Sequence, residues 1–592
     1  MIMRNNLKTV RDTDVYVSMG LFLLVAFGFF CFIGNYVLYF QETQSLFIFS
    51  GEYLHQHLLK PGALLEYAAR FLTQFYPGKL SGSLILSAIL TFPGIILLII
   101  NKRLIPGISF SLLLLLVPSC LMLLMQANYY HMMEYNLGFL LILFYYLFSL
   151  SSGGKYHRSL LLILFPLFYY LAGAYAMIFA VMYVIHNLFH KKGKLKYFYS
   201  LLLLIIAAIT FIISWKILFL QPVEQFILFP LPLLENPAYR TTFFILTGYI
   251  VFYPLLCRIA RLSKDSSLNP RIYPIVSVII VFALTIFLLI KTYNPQTARV
   301  VELERLIFSE KWDEAIRFHE KKPSLNLIGQ YFYNIALSET DQLCDRLFFG
   351  KQDFGAGSLV LPWGDAHLNR GGYFYYAIGL INEAHRWAYE EMVVYGYRPQ
   401  NIELLAKTSL INGDYIMAKK YLNILKKTIY YRKWAKEFEK LADNPDLILS
   451  HPELGAKLKI LPKNNFFIQF NEPQNNLAFI LEGQPDNRKA IEYYLAGLLL
   501  TKKVEIAVNN VRNMKTSGYT RIPRHIEEAV LIYYNSQRVF PDLGGLKISQ
   551  ETQTRFEHYL SSYMTARQNP STLKEKMQKE FGNTFWYYFH FK

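Results

Sequence analysis

The feature that most constrains this chain is a succession of long apolar runs confined to its first half. Runs at about 15–40, 82–100, 106–126, 134–151, 197–218, 239–260 and 273–291 each carry enough apolar residues to cross a hydrocarbon core of roughly 30 Å. Inside lipid a backbone must satisfy its own polar groups, so such runs must be helices. The run 15–40 is too long for a signal-peptide core and has no small-residue cleavage site, so it is expected to stay as a helix. The run 159–189 differs. As one helix it would reach about 46 Å, well beyond the hydrocarbon. It breaks at LAGAYA (171–176), where small residues allow a tight turn, so two short helices are expected. About nine crossings follow.

Charge divides the chain in the same place. Residues 1–294 carry 21 Lys/Arg and 9 Asp/Glu, and residues 295–592 carry the other 39 and 33. We therefore expect a transmembrane domain at 1–294 and a soluble domain at 295–592. The net charge of +18 suggests nucleic acid at first sight, but its placement argues against that partner. With nine crossings, the N-terminal tail and the stretches 101–103, 153–158, 191–196 and 258–271 share one face. They hold 15 Lys/Arg against Asp12, Asp14 and Asp265, while the opposite face of this half carries six of each sign. The positive-inside rule makes the basic face cytoplasmic. Stretches 41–80, 126–134 and 219–238, and the whole second half, then lie outside. This is the layout of a multi-pass bacterial inner-membrane protein with a periplasmic C-terminal domain. Cys31, Cys120, Cys257 and Cys344 offer no disulfide framework and no CxxC metal site.

Between the first two apolar runs lies 41–80, too polar to span a membrane and too apolar to be a plain connector. Leu46, Phe49, Tyr53 and Leu58, then Leu65, Ala68, Phe71 and Phe75, recur at helical spacing. Two amphipathic helices lying in the interface are expected, hinged at Lys60-Pro61-Gly62, with Pro61 opening the second. Glu66 and Arg70 are placed to pair, and Glu52 and His55 share a face; a solvated polar face is the plainer account of these residues. The second outer stretch, QANYYHMMEYN (126–136), sets Tyr130, His131 and Glu134 at the mouth between two helices, where a carboxylate is costly unless paired or functional. The third, 221–237, is rich in proline and aromatics and reads as a rigid cover.

The second half turns helical, with little strand-like alternation. Gly379-x-Ile381-x-x-Ala384 and Gly413-x-Tyr415-x-x-Ala418 lie 34 residues apart, the period of a tetratricopeptide (TPR) unit. Ala315 and Ala507 mark two further copies. A TPR-like solenoid is expected, with a generic helical bundle as the alternative; solenoid surfaces bind peptides or partner proteins. Between repeats, 353–372 is rich in glycine and contains Asp365, His367 and Arg370. It reads as an ordered connector or a functional loop.

Templates for nucleotide binding, metalloproteolysis and serine hydrolysis are missing: the sequence has no GxxxxGK[ST], HExxH or GxSxG, and no DxD beyond Asp12-Thr13-Asp14 in the N-terminal tail. No metal site and no cofactor are expected. The first helix followed by a long stretch with paired amphipathic helices, the acid just after it, and the acidic second outer stretch resemble GT-C glycosyltransferases. These are polytopic enzymes that use lipid-linked sugars on the outer face, and some carry C-terminal TPR units. The resemblance covers about 10–294 and is one of topology. It implies a polyprenyl-phosphate sugar donor and a catalytic carboxylate at Glu42, with Glu134 in the second position. A base there would take the proton of an acceptor hydroxyl as the prenyl-phosphate leaves. Glu52, His55, Arg70, Tyr130 and His131 are the candidate substrate-binding residues. This chain has Glu where Asp is usual in the first stretch, and that stretch lacks a DxD, which bears on metal dependence. The stretches YLHQHLLKPGALLEYAARFLTQF, LPWGDAHLNRGG and TFWYYFHFK also look like a bacterial membrane-plus-TPR family, a likeness that carries no activity. The competing reading is a non-catalytic membrane scaffold whose TPR-like half gathers envelope proteins. A transporter is disfavoured, since the carboxylates cluster at one face rather than at the midplane.

Overall fold

A computed structural model describes residues 12–104, 112–151, 154–191, 193–220, 222–262, 272–469 and 475–592. The tail residues Arg4, Lys8 and Arg11, and Lys192, Lys264, Asp265 and Arg271, on which the charge argument partly rests, lie outside the described residues. Among those described, the chain is all-α and has no strand. It divides into two units, Met1–Tyr293 with Lys427–Tyr430, and Asn294–Lys426 with Tyr431–Lys592.

The first unit contains α1 Asp12–Phe32, α2 Asn35–Thr43, α3 Gly51–Gln56, α4 Ala63–Thr73, α5 Lys79–Leu104, α6 Leu112–Gln126 and α7 Met133–Ser149. It continues with α8 Gly154–Ala172, α9 Tyr175–His190, α10 Leu195–Ile213, α11 Val223–Ile227, α12 Pro237–Leu262 and α13 Ile272–Thr292. The apolar run 15–40 is not one helix. It breaks at Gly34, whose N–H donates back to the Phe29 carbonyl at 2.7 Å. The break lets α2 turn and bury Val37, Leu38 and Phe40.

The expected break in 159–189 falls at Gly173, in the left-handed region at φ +59°. Helices α8 and α9 double back on each other there. Phe168 and Phe179, on either side of the turn, have ring centroids 5.6 Å apart, and both pack on Tyr145, at 4.0 and 4.7 Å.

Nine apolar helices are present where crossings were expected, but only four among the described residues are long and apolar enough to cross a membrane alone. These are Thr13–Phe32, Lys79–Leu104, Leu195–Phe219 and Pro237–Ile259. A fifth is reached if Val276–Thr292, within α13, and Pro295–Phe308 are counted as one bent span. The helices Leu114–Gln126, Met133–Ser149, Tyr156–Ala172 and Tyr175–His190 are shorter. At 1.5 Å per residue, a 15-residue helix covers about 23 Å of a core roughly 30 Å thick.

The second unit is built of consecutive helices joined by tight turns, and four of those turns are alike. Each ends its first helix on a left-handed residue: Glu310 at φ +54°, Gly379 at +89°, Gly413 at +76° and Lys502 at +58°. In each, the next N–H reaches back five residues at 2.9 Å, from Lys311 to Leu306, Leu380 to Tyr375, Asp414 to Ser409 and Lys503 to Leu498. That bond satisfies a carbonyl the helix end would otherwise leave unpaired. Five residues after each left-handed position comes a fully buried alanine: Ala315, Ala384, Ala418 and Ala507. The small side chain lets the second helix lie close against the first. In the segment 353–372, short 3₁₀ turns precede the helix Leu368–Ile378, and Arg370 pairs with buried Glu304 at 3.0 Å.

A left-handed residue other than glycine costs about 1–2 kcal/mol. At Gly379 an added Cβ would also lie 2.4 Å from the Ile460 carbonyl oxygen. We expect Gly379→Ala to destabilise the full-length chain by more than ~1 kcal/mol and Lys502→Gly not to destabilise it. Thermal unfolding of the two variants side by side measures both.

Candidate functional site

The stretch 41–80 folds around Phe47. Its buried ring packs edge-on against Phe49, Tyr53, Tyr67 and Phe71, at centroid distances between 5.0 and 5.5 Å. Residues 45–49 are therefore non-helical, and of the first amphipathic helix only α3 forms, opened by Ser50, whose hydroxyl accepts from the Tyr53 N–H. Helix α4 is opened by left-handed Gly62, at φ +84°, rather than by Pro61. A proline two residues further in, at the first helical position, would have suited the first turn; here Pro61 stays outside the helix.

Three titratable groups, Arg70, Glu66 and Glu134, meet above this aromatic core. Arg70 pairs with Glu66 one turn away, and its other nitrogen donates to the Tyr53 hydroxyl at 3.2 Å. Burial works against the Arg70 charge, but Glu66, Tyr53 and Glu134 outweigh it and raise its pKa above the ordinary guanidinium value. Glu134, at the start of α7, is thus close enough to act on a cation 64 positions earlier in the chain. Helices α4 and α7 pack against each other and bring this about. Beside them His57 is buried, with Nδ1 bonded to the Tyr53 carbonyl at 2.8 Å.

The second outer stretch is held by a closed ring of hydrogen bonds. The His131 ring is fully buried, with Nδ1 2.5 Å from the Tyr239 hydroxyl and Nε2 3.0 Å from Asn136 Oδ1. Asn136 Nδ2 donates to Gln126 Oε1 at 2.6 Å, and Gln126 Nε2 donates to the His131 carbonyl at 3.1 Å. The same carbonyl accepts from Gln41 at 2.6 Å, which ties α2 to this stretch. One arrangement of protons satisfies the ring: Nε2–H donates to Asn136, and Nδ1 accepts from Tyr239. A neutral imidazole fits, and burial lowers the His131 pKa to about 4.

The third outer stretch meets the first at glycine. Gly62 N–H donates to the Tyr170 carbonyl at 2.8 Å, and Ala174 N–H donates to the Phe229 carbonyl at 2.9 Å. A Cβ on Gly173 would lie 2.5 Å from that Phe229 oxygen, and one on Gly62 would lie 2.8 Å from Pro230 Cδ. Lys60 lays its ammonium 3.4 Å from the Phe229 ring centroid. Burial lowers its pKa; Glu66 opposes that and Arg70 adds to it. Tyr170 also donates to the Leu58 carbonyl at 3.0 Å and stacks on Phe219. Those two rings close the end of an apolar groove of about 480 Å³ between α8, α10 and the π-helical turn Ser214–Phe219 that extends α10. Pro166, Ile206, Ile213 and Leu218 line its length.

The structure thus brings Glu134, Glu66, Arg70 and Tyr53 together, with Lys60 and the groove on the same loop layer. The other expected residues are placed as follows. Glu42 lies inside α2 and is buried, next to the Gln41 that anchors the second stretch. Glu52 and His55 are solvent-exposed on α3. Tyr130 is exposed and packs on Tyr129 and Phe40. His131 has both ring nitrogens engaged. Spacing does not mark Gln41 and Lys60 as site residues, because their partners, the His131 carbonyl and the Phe229 ring, come from distant stretches; His57 bonds within its own turn, to the Tyr53 carbonyl. Among the described residues no cluster of His, Cys, Asp and Glu is placed to hold a metal ion.

Residues 13–592 match the family described as Family of unknown function (DUF6057). No curated protein and no solved structure matches the chain.

The His131 ring makes a pH prediction. Its pKa is about 4 folded against 6.5 unfolded, so its contribution is fully present above 6.5 and is lost as pH falls toward 4. The full span corresponds to about 3 kcal/mol. Unfolding temperature of the detergent-solubilised chain should drop between pH 6.5 and 4, and the drop should be shallower in His131→Gln.

Proposed function

This chain belongs to that family, Family of unknown function (DUF6057), and we propose that it is a GT-C-like integral membrane glycosyltransferase. It would move a sugar from a polyprenyl-phosphate donor to an extracytoplasmic acceptor. One observation carries the reading: a carboxylate, two cations and an apolar groove converge on the same loop layer. The groove suits an isoprenoid chain entering from the bilayer. Lys60 and Arg70 suit the phosphate, and Glu134 suits the base. In the step, the acceptor oxygen gives its proton to Glu134 and forms a bond to the anomeric carbon. The bond from that carbon to the phosphate oxygen breaks, and the prenyl-phosphate leaves with the electron pair. Glu42, in the buried turn beside Gln41, is the second carboxylate of the proposal, and exposed Tyr130 borders the acceptor side.

The shorter apolar helices belong to this reading as crossings, with the α8–α9 hairpin entering and leaving on the cytoplasmic face. The count then returns to nine, and the second unit is periplasmic. The repeated left-handed turn with its buried alanine supports a TPR-like account of that unit. It also favours the alternative, a scaffold that gathers envelope proteins without catalysis.

The test is transfer of a labelled sugar from polyprenyl-phosphate to envelope acceptors, using the full-length protein in lipid nanodiscs. General-base catalysis is worth ~10²–10⁴-fold, so Glu134→Gln should lose at least a hundredfold while its unfolding temperature holds. Full transfer by both Glu134→Gln and Glu42→Gln would remove the catalytic reading and leave the scaffold.

A further inference from the structure

The second unit holds a cleft of about 570 Å³ that the membrane chemistry does not use. That size lies within the range of ligand pockets, ~300–1,000 Å³. Its walls are the rings of Phe308, Trp312, Tyr373 and Tyr376, and its floor is closed by apolar side chains that include Ile307, Ile335 and Leu404. Phe308 and Tyr373 pack 5.1 Å apart, which fixes both rings. Polar groups are set among these faces in a particular way.

Three lysines reach the cleft, and all are committed. Lys407 Nζ sits between Glu310 at 2.6 Å and Glu453 at 2.8 Å. Lys457 Nζ bonds both oxygens of Glu339, at 2.8 and 3.1 Å, and lies 5.0 Å from the Tyr376 ring centroid. Lys489 Nζ holds Asp341 at 2.8 Å. Arg488 also lines the cleft, with its guanidinium 4.4 Å from the Tyr519 ring centroid. A phosphate or sulfate would find no uncommitted lysine, and against these four cations it would meet six carboxylates: Glu310, Glu339, Asp341, Glu403, Glu453 and Asp486. A cationic ligand would meet carboxylates whose charge Lys407, Lys457 and Lys489 already offset.

What remains is a set of fixed acceptors. Glu310 meets Lys407 through Oε1, and Glu453 meets Lys407 and Tyr376 through Oε1, so each keeps Oε2 for another donor. Asp341 meets Lys489 through Oδ1 and keeps Oδ2. Neutralised carboxylate oxygens held in place, set between aromatic faces, suit a ligand with many hydroxyl donors and flat patches of C–H. Ring faces carry negative charge density and attract such weakly positive C–H groups.

We propose that this cleft is a carbohydrate-binding site for a neutral oligosaccharide. The sugar faces stack on Trp312 and Tyr373, and hydroxyls donate to Glu310, Glu453 and Asp341. The site does not rest on the glycosyl-transfer reading of the membrane unit; a scaffold could carry it equally.

The test uses the purified full-length protein and neutral oligosaccharides of glucose, mannose and N-acetylglucosamine, followed by saturation-transfer NMR and calorimetry. At least one series should bind and perturb tryptophan fluorescence. Trp312→Ala should weaken binding at least tenfold and Trp312→Phe much less, with Glu310→Gln also weaker. If Trp312→Ala does not fold, the Glu310→Gln and Trp312→Phe titrations decide instead. Failure of all three series to bind at millimolar concentration would overturn the proposal. So would binding indifferent to these substitutions, or tighter Trp312-dependent binding of a lysine-rich peptide or of heparin.

Discussion

The layout of the first unit depends on two glycines that let three chain segments touch backbone to backbone. Gly62, Gly173 and the Phe229-Pro230 pair approach so closely that a single Cβ at either glycine would overlap the opposite strand of chain. The hydrogen bonds Gly62 to Tyr170 and Ala174 to Phe229 pass through this point. Because of it, the amphipathic stretch after α2, the α8–α9 turn and the proline-rich stretch before α12 form one layer. Lys60 is two residues from the contact and Tyr170 takes part in it. The end of the apolar groove and the charged cluster are therefore set by the same junction.

Electrostatics then assigns different work to similar residues. Arg70 is the hub of the cluster: it satisfies Glu66 and Tyr53 directly and is biased by Glu134. Buried charge persists when it is paired and hydrogen-bonded, and this cation is both. His131 shows the opposite solution, a ring held neutral so that each nitrogen has a defined donor or acceptor role. It fixes the geometry of the second stretch, which leads into Glu134 three residues on. The second unit repeats the theme in its cleft, where lysines neutralise carboxylates and leave their spare oxygens oriented.

Much of this was legible in the residues, and the losses have physical causes. Apolar runs and the small-residue break at Gly173 announce helices and a hairpin because lipid leaves few other options. Helix length is another matter. The break at Gly34 arises where turn geometry overrides apolar composition. Around Phe47, tertiary packing of aromatics suppresses the amphipathic helix that spacing alone suggests. In the second unit, Gly379 and Gly413 advertise their turns, whereas Glu310 and Lys502 adopt the same left-handed backbone without a glycine to mark it. The Glu66–Arg70 pair is local and was readable from a four-residue spacing. The influence of Glu134 on Arg70 requires α4 against α7, and no spacing encodes that.

The central claim is that the loop layer of the first unit receives a lipid-linked sugar phosphate. Photo-crosslinking tests it most directly, with a polyprenyl-phosphate sugar carrying a photoreactive group midway along its chain and the full-length protein in nanodiscs. The account predicts adducts on groove residues such as Ile213, Leu218 and Phe219, competed by unlabelled polyprenyl-phosphate and reduced in Lys60→Ala. Adducts scattered over lipid-facing helices, unaffected by competitor or by Lys60→Ala, would contradict it.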